Sequence, residues 1–190
     1  MTKQDIRKTF LAKRQEMPEA AFAQSNRQIC DHFFAHVNLN FVNVLHTFLP
    51  IEKTKEPDTW MIIDRIRREF PHIRIAIPKI NNQTSLMDNY FFEGLHQLEK
   101  NVWGIPEPKQ GIPVPLEKID LVLVPLLAVD KMGNRVGYGR GFYDKFLGQC
   151  PVKTTRVGLS FFEPIDRVDD VSQYDLPLHQ VVTPNGVVVI

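Results

Sequence analysis

The run from Ile119 to Leu147 constrains the fold of this chain more than any other stretch. Residues 119–129 are almost continuously apolar, which predicts a buried strand. The chain then turns tightly at Asp130-Lys-Met-Gly-Asn134. Three glycines follow at alternate positions, Gly137, Gly139 and Gly141, with Arg135 and Arg140 among them. A short amphipathic helix is expected next, with Phe142, Phe146 and Leu147 on one side. A strand, a glycine-rich loop and a helix N-terminus in succession make a place where backbone N–H groups can point at an anion. Glycines let the backbone approach closely, and arginines add charge and forked donors. The pattern is neither the dinucleotide Gly-x-Gly-x-x-Gly nor the Gly-x-x-x-x-Gly-Lys-Ser/Thr loop. A phosphate is the natural ligand, and Arg135, Gly137, Tyr138, Gly139, Arg140, Gly141, Phe142 and Tyr143 are the residues expected to meet it.

The rest of the chain supplies alternating helices and short Val/Ile-rich strands. Thr2 and Asp5 cap a helix running to about Met17. Ile6 and Phe10 give it an apolar stripe, while Lys3, Arg7 and Arg14 repeat at helical spacing on another face. From periodicity alone that basic face reads as solvated, and Lys13 and Arg14 are assigned to surface charge. After Pro18, residues 19–37 predict a second helix. A strand is expected at 42–49, a helix at 59–70, a strand at 73–77 ended by Pro78, and another strand at 86–92. Extended pieces follow at 155–160, 181–182 and 187–190. The alternation argues for a single α/β domain spanning 1–190, built as an open sheet between helical layers.

Bulk properties exclude several classes. A chain of 190 residues is ordinary for one domain, and a formal charge of +1 gives no general attraction to nucleic acid or an anionic membrane. The polar N-terminal segment lacks the apolar core of a signal peptide, and no run is long enough to span a bilayer, so a cytoplasmic location is expected. Cys30 and Cys150 have no metal-ligand spacing and read as reduced packing residues. His32 and His36 stand four apart on a helix without a third ligand, which favours packing over zinc.

The glycine-rich stretch resembles the signature of the 5-formyltetrahydrofolate cyclo-ligase family, also called 5,10-methenyltetrahydrofolate synthetases. Pro125, Ala128, Asp130, Gly133, Arg135, Gly137, Gly139, Gly141, Tyr143, Asp144 and Leu147 match it, while Val129, Val136 and Phe142 depart conservatively. The resemblance implies a three-layer α/β/α fold related to phosphosugar isomerases and CoA transferases. It also implies that Lys3 and Arg7 reach the phosphates of ATP, and that Glu56 contacts the pterin of the folate, with Leu49 packing on the ring. A carboxylate suits a pterin because it accepts paired N–H donors. Trp103, in Trp103-Gly-Ile-Pro-Glu-Pro108, either stacks on a flat heterocycle or covers the core. Asp144 stands in the first turn of its helix, where a carboxylate favours the dipole; the resemblance makes it and Asp175 ligands of a magnesium ion, Mg2+. His179 receives no metal role.

The activity implied is ATP-dependent conversion of 5-formyltetrahydrofolate to 5,10-methenyltetrahydrofolate, with release of ADP and phosphate, by a monomer. Arg135, Arg140 and Tyr143 are the expected catalytic groups. Two rival readings are a phosphosugar isomerase-like enzyme, which needs a carboxylate base and no ATP, and a non-catalytic paralogue that keeps the loop for binding.

Overall fold

The computed structural model describes every residue except Trp103. In chain order the helices are α1 (Lys3–Gln15), α2 (Glu19–His36), α3 (Thr59–Glu69) and α4 (Phe142–Gln149). The strands are β1 (Val44–His46), β2 (Arg74–Asn81), β3 (Leu86–Phe91), β4 (Leu98–Lys100), β5 (Pro106–Pro108), β6 (Leu121–Val124), β7 (Ala128–Val129), β8 (Arg135–Val136), β9 (Thr155–Leu159), β10 (Gln180–Thr183) and β11 (Gly186–Val189). A seven-stranded sheet has the order β11-β10-β9-β6-β1-β2-β3. Its five inner strands are parallel, and β3 and β11 close the two edges antiparallel.

Both faces of the sheet are covered, as the near-continuous apolar character of its inner strands requires. On one face, Ile29 and Phe33 of α2 and Ile62, Ile63 and Ile66 of α3 pack on Leu45, Ile75, Leu121, Leu123 and Val157. On the other, Phe146 and Leu147 of α4 pack on Val44, Ala76, Val122, Val124 and Val181. Alternate residues of one strand thus feed opposite cores. The fold is therefore a three-layer α/β/α open sheet, as expected. Helix α1 stands apart and buries Ile6 and Phe10 against Leu127, Ala128, Val136 and Val168 in a third cluster. Its N-terminus is capped by Thr2, whose hydroxyl accepts from the Asp5 amide. Asp58 caps α3 by accepting from the Trp60 amide at 3.0 Å.

Three expectations change. The apolar run 119–129 is two strands, because Pro125 follows β6 and cannot donate to a ladder. β7 instead pairs with β8 in a small antiparallel ladder, Ala128 opposite Val136 and Val129 opposite Arg135. Pro78 does not end its strand. β1 pairs β2 only as far as Ala76, and from Ile77 onward β2 is bonded to β3 alone, so the proline sits where no partner on its other side needs a donor. Strand 42–49 shortens to β1. The turn after β7 is organised by Asp130, which is fully buried and accepts from the amides of Met132, Asn134 and Val168 and from the Asn134 side chain, at 2.9–3.0 Å. Four donors satisfy a carboxyl group that would otherwise be costly to bury.

The topology decides where a ligand can go. From β1 the chain crosses to β2 through α3 on one face, and from β6 it crosses to β9 through α4 on the other. The loops leaving the neighbouring strands β1 and β6 therefore diverge, and a crevice opens at their carboxyl ends. Such a switch point is the favoured binding place in open α/β sheets.

Candidate active site

A pocket of about 860 Å³ occupies that crevice. The β1–α3 loop gives it Phe48, Leu49, Ile51, Thr54 and Glu56, and the loop after β6 gives it Arg135 and residues 137–144. Lys3 and Arg7 enter from α1, and Asp175 from the chain before β10. The β2–β3 hairpin adds Pro78, Ile80 and Met87, and the segment before and within β5 adds Ile105, Pro106 and Glu107. Of the residues expected at the site, all that are described line this one pocket. Trp103 lies outside the described residues.

One half of the pocket is cationic. Arg135 Nη2 donates to Asp144 Oδ1 at 2.7 Å, its side chain is 8 % exposed, and its Nε is buried without a protein partner. A buried guanidinium with a donor left over is suited to an incoming oxyanion. Arg7 donates from Nε to the Gly137 carbonyl at 2.9 Å and so stitches α1 to the glycine loop. Gly139 and Gly141 both have positive φ, +90° and +69°, and Gly141 immediately precedes α4. A Cβ on Gly139 would come within 3.2 Å of the Arg7 Cζ, so any side chain there would push the guanidinium by a few tenths of an ångström. Lys3 Nζ is ion-paired with Asp175. Burial pushes the Asp175 carboxyl up, but the Lys3 and Ser172 hydrogen bonds and the charges of Lys3 and Arg135 outweigh it and leave it below the ordinary range.

The other half suits a flat, partly polar ring. Leu49 is buried beside Phe48, and Glu56 is only 5 % exposed. Glu56 Oε2 accepts from the Ile51 amide at 2.7 Å. Burial raises its carboxyl above the usual range, against the Ile51 amide, Tyr138 and the charge of Arg14. Tyr143 is pushed up by burial and then by the charge of Glu56, so it is a protonated donor, and its buried hydroxyl has no protein acceptor. Beneath Tyr143 lies His46, fully buried, its Nε2 2.8 Å from Asn89 Oδ1 and its pKa lowered to about 4 by burial, hence neutral.

Two carboxylates, Asp144 and Asp175, could contribute to a metal ion. Hard oxygen donors suit magnesium, which takes few protein ligands when phosphates complete its octahedron. Among the described residues no group of three or more His, Cys, Asp or Glu converges as a metal nest.

Arg14 overturns its assignment to surface charge. It is 2 % exposed and sits behind the pocket, donating to Tyr138 Oη at 3.0 Å and to the Leu126 carbonyl at 2.5 Å. A signal was present: Arg7 and Arg14 lie seven apart, two helical turns along one face. Lys13 is exposed and lies over the Phe10 ring. His179 is distant from this chemistry and packs against Arg156, its Nδ1 accepting from the Arg156 amide at 3.1 Å. His32 and His36 stack on each other, and both cysteine thiols are raised by burial, so neither pair forms a second site. No helix among the described residues is long and apolar enough to cross a membrane.

Comparisons with known proteins agree with this geometry. A 5-formyltetrahydrofolate cyclo-ligase from Escherichia coli K12 is 33 % identical over 138 residues, covering 70 % of this chain and 74 % of its own. The mouse 5-formyltetrahydrofolate cyclo-ligase is 32 % identical over 117 residues, 56 % of this chain and 58 % of its own. The NMR structure of Aquifex aeolicus 5,10-methenyltetrahydrofolate synthetase superposes with a TM-score of 0.84 at 25 % identity, covering all of this chain and 93 % of that one. A 5,10-methenyltetrahydrofolate synthetase from Mycoplasma pneumoniae shares the fold with a TM-score of 0.76 at 20 % identity, over 96 % and 98 % of the two chains. The model of the 5-formyltetrahydrofolate cyclo-ligase family matches residues 1–184, and with the signature loop, the fold and these relatives in agreement, the chain belongs to that family.

Proposed function

We propose that this chain converts 5-formyltetrahydrofolate to 5,10-methenyltetrahydrofolate at the expense of ATP, with the phosphates held by the glycine loop and the folate held by the β1–α3 loop. One observation carries the reading: a cationic half and a ring-binding half share a single pocket, so phosphate and folate can meet.

The chemistry needs such a meeting. The formyl oxygen is amide-like and a poor leaving group. Its attack on the γ-phosphorus forms an O–P bond and releases ADP. The N10 amine then attacks the formyl carbon, the C–O bond breaks, the oxygen departs with phosphate, and N10 loses its proton. The protein has little covalent work to do; it orients the reactants and stabilises charge. Arg135, Arg140 and the loop amides hold the transferring phosphoryl, while Lys3 and Arg7 hold the remaining phosphates. Glu56 accepts from pterin N–H groups, Leu49 lies along the ring, and Tyr143 donates to the folate. Asp144 and Asp175 would hold a magnesium ion, which would supply counter-charge for the phosphates. Lys3 and Arg135 are paired with those two aspartates, and their remaining N–H donors face the phosphate half of the pocket.

Purified protein given 5-formyltetrahydrofolate, ATP and magnesium is expected to produce the methenyl chromophore and ADP in equal amounts. ADP without the chromophore, or binding of both substrates without either product, contradicts the reading.

A further inference from the structure

The fully buried Arg14 is absorbed by none of the roles above. Burying a guanidinium is costly unless its surroundings compensate, and here Arg14 still has Nε without a partner. What surrounds it is informative. Its Nη2 donates to the Leu126 carbonyl at 2.5 Å, and its Nη1 to Tyr138 Oη at 3.0 Å, with the Thr54 carbonyl 3.5 Å away. Tyr138 in turn donates to Thr54 Oγ1 at 3.1 Å. Leu126 and Tyr138 belong to the loop after β6, and Thr54 to the loop after β1, two residues before Glu56. One side chain of α1 therefore bridges the two loops that diverge at the switch point. We propose that Arg14 is a positioning residue for the folate subsite: from behind the pocket it orients Tyr138 and presents positive charge to the Glu56 carboxylate.

The inference rests on the role given to Glu56 above. A carboxylate accepts pterin N–H donors at both oxygens, whereas a protonated carboxyl loses an acceptor. Burial favours the protonated form, and the Ile51 amide, then Tyr138, then the charge of Arg14 oppose it, so Arg14 acts both directly and through the tyrosine it orients. The other titratable groups around Glu56 leave Arg14 as the buried cation there. Tyr143 on α4 is neutral, Lys53 stands at the pocket rim on the same loop, and Lys55 is paired with Glu19 of α2 at 2.9 Å. Arg135 lies in the opposite, phosphate-facing half, paired with Asp144.

The sign follows directly. Folate affinity falls as pH drops through the Glu56 pKa. Removing the Arg14 charge raises that pKa, so the loss begins at higher pH. Folate dissociation constants are measured by calorimetry over a pH series extending upward from the ordinary carboxylate range, the direction in which burial moves Glu56. Arg14→Met, of similar length and neutral, is expected to weaken folate binding about ten-fold or more at the acid end and much less at the alkaline end. ATP affinity is expected to change little. Arg14→Lys keeps the charge and is expected to keep the native pH profile. Tyr138→Phe leaves the guanidinium and the loop backbone in place but removes the hydroxyl that links them, and is expected to weaken folate several-fold and ATP much less; it also serves if Arg14→Met does not fold. Folate and ATP weakened equally by Arg14→Met, with an unshifted pH profile, or unchanged folate binding in Tyr138→Phe, overturns the proposal. Glu56→Gln separates the two levels. If it binds folate as the native chain does, the Glu56 role fails and the Arg14 proposal falls with it. If it binds folate poorly while Arg14→Met shows an unshifted profile, Arg14 alone is wrongly assigned.

Discussion

Gly139→Val is expected to reduce turnover about one hundred-fold or more while lowering the melting temperature by only about 2–10 °C. The backbone there has φ of +90°, which a β-branched residue adopts only at a cost of roughly 1–3 kcal/mol. The added Cβ would also sit 3.2 Å from Arg7 Cζ, before the two γ-methyls are counted. The loop then either keeps its shape and displaces Arg7, or relaxes and turns its amides away from the phosphates. Both outcomes disturb the groups proposed to act on the transferring phosphoryl, and each ~1.4 kcal/mol lost there is ten-fold in rate. The loop is exposed at this point and holds no core, so the strain lowers stability without preventing folding. Steady-state kinetics beside a circular-dichroism melt check both halves. Native turnover contradicts the role of the loop; lost turnover with a collapsed melt makes Gly139 structural. Gly139→Ala keeps the strain with less bulk and should fall between.

Arg135→Ala is expected to be comparably severe for activity and to cost stability as well. It removes a guanidinium 8 % exposed in the pocket and strips Asp144 of its partner at 2.7 Å. Losing one preorganised donor to developing charge costs about 10²–10³ in turnover. Asp144 is a quarter exposed, so water moderates the penalty of leaving it alone. Arg135→Lys retains the charge but not the forked geometry, and should recover stability more fully than rate. If Arg135→Ala lowers the melting temperature and leaves turnover intact, the arginine merely anchors α4 through Asp144.

Much of this site was legible because its chemistry is concentrated in local sequence. The glycine loop, Arg135 and Arg140 stand within seven residues, and Lys3 and Arg7 within one helical turn and a half. The resemblance then attached Glu56 and the two aspartates, and all of these line one pocket. What escaped was non-local. Periodicity placed Arg14 on a face of α1 but could not say that two loops from the middle of the chain dock on that face. The hairpin wall of Pro78, Ile80 and Met87 was invisible for the same reason. Strand boundaries failed where proline was read without its neighbours. Pro78 is tolerated because β1 has already ended, while Pro125 does interrupt the apolar run, since the chain leaves the central sheet there to pair β7 with β8. Buried His46 gave no signal at all, one histidine in a short strand whose pKa falls to about 4 through burial in the fold, against Tyr143 and Phe146.

The central claim is that the pocket joins phosphate to the formyl oxygen rather than coupling ATP hydrolysis to a distant motion. Turnover with 5-formyltetrahydrofolate carrying ¹⁸O in the formyl group tests it most directly. If the formyl oxygen attacks phosphorus and leaves with it, the released phosphate carries the label and solvent oxygen does not enter. Unlabelled phosphate formed alongside normal methenyl product, or label recovered in water, contradicts the account even if every substrate has been correctly named.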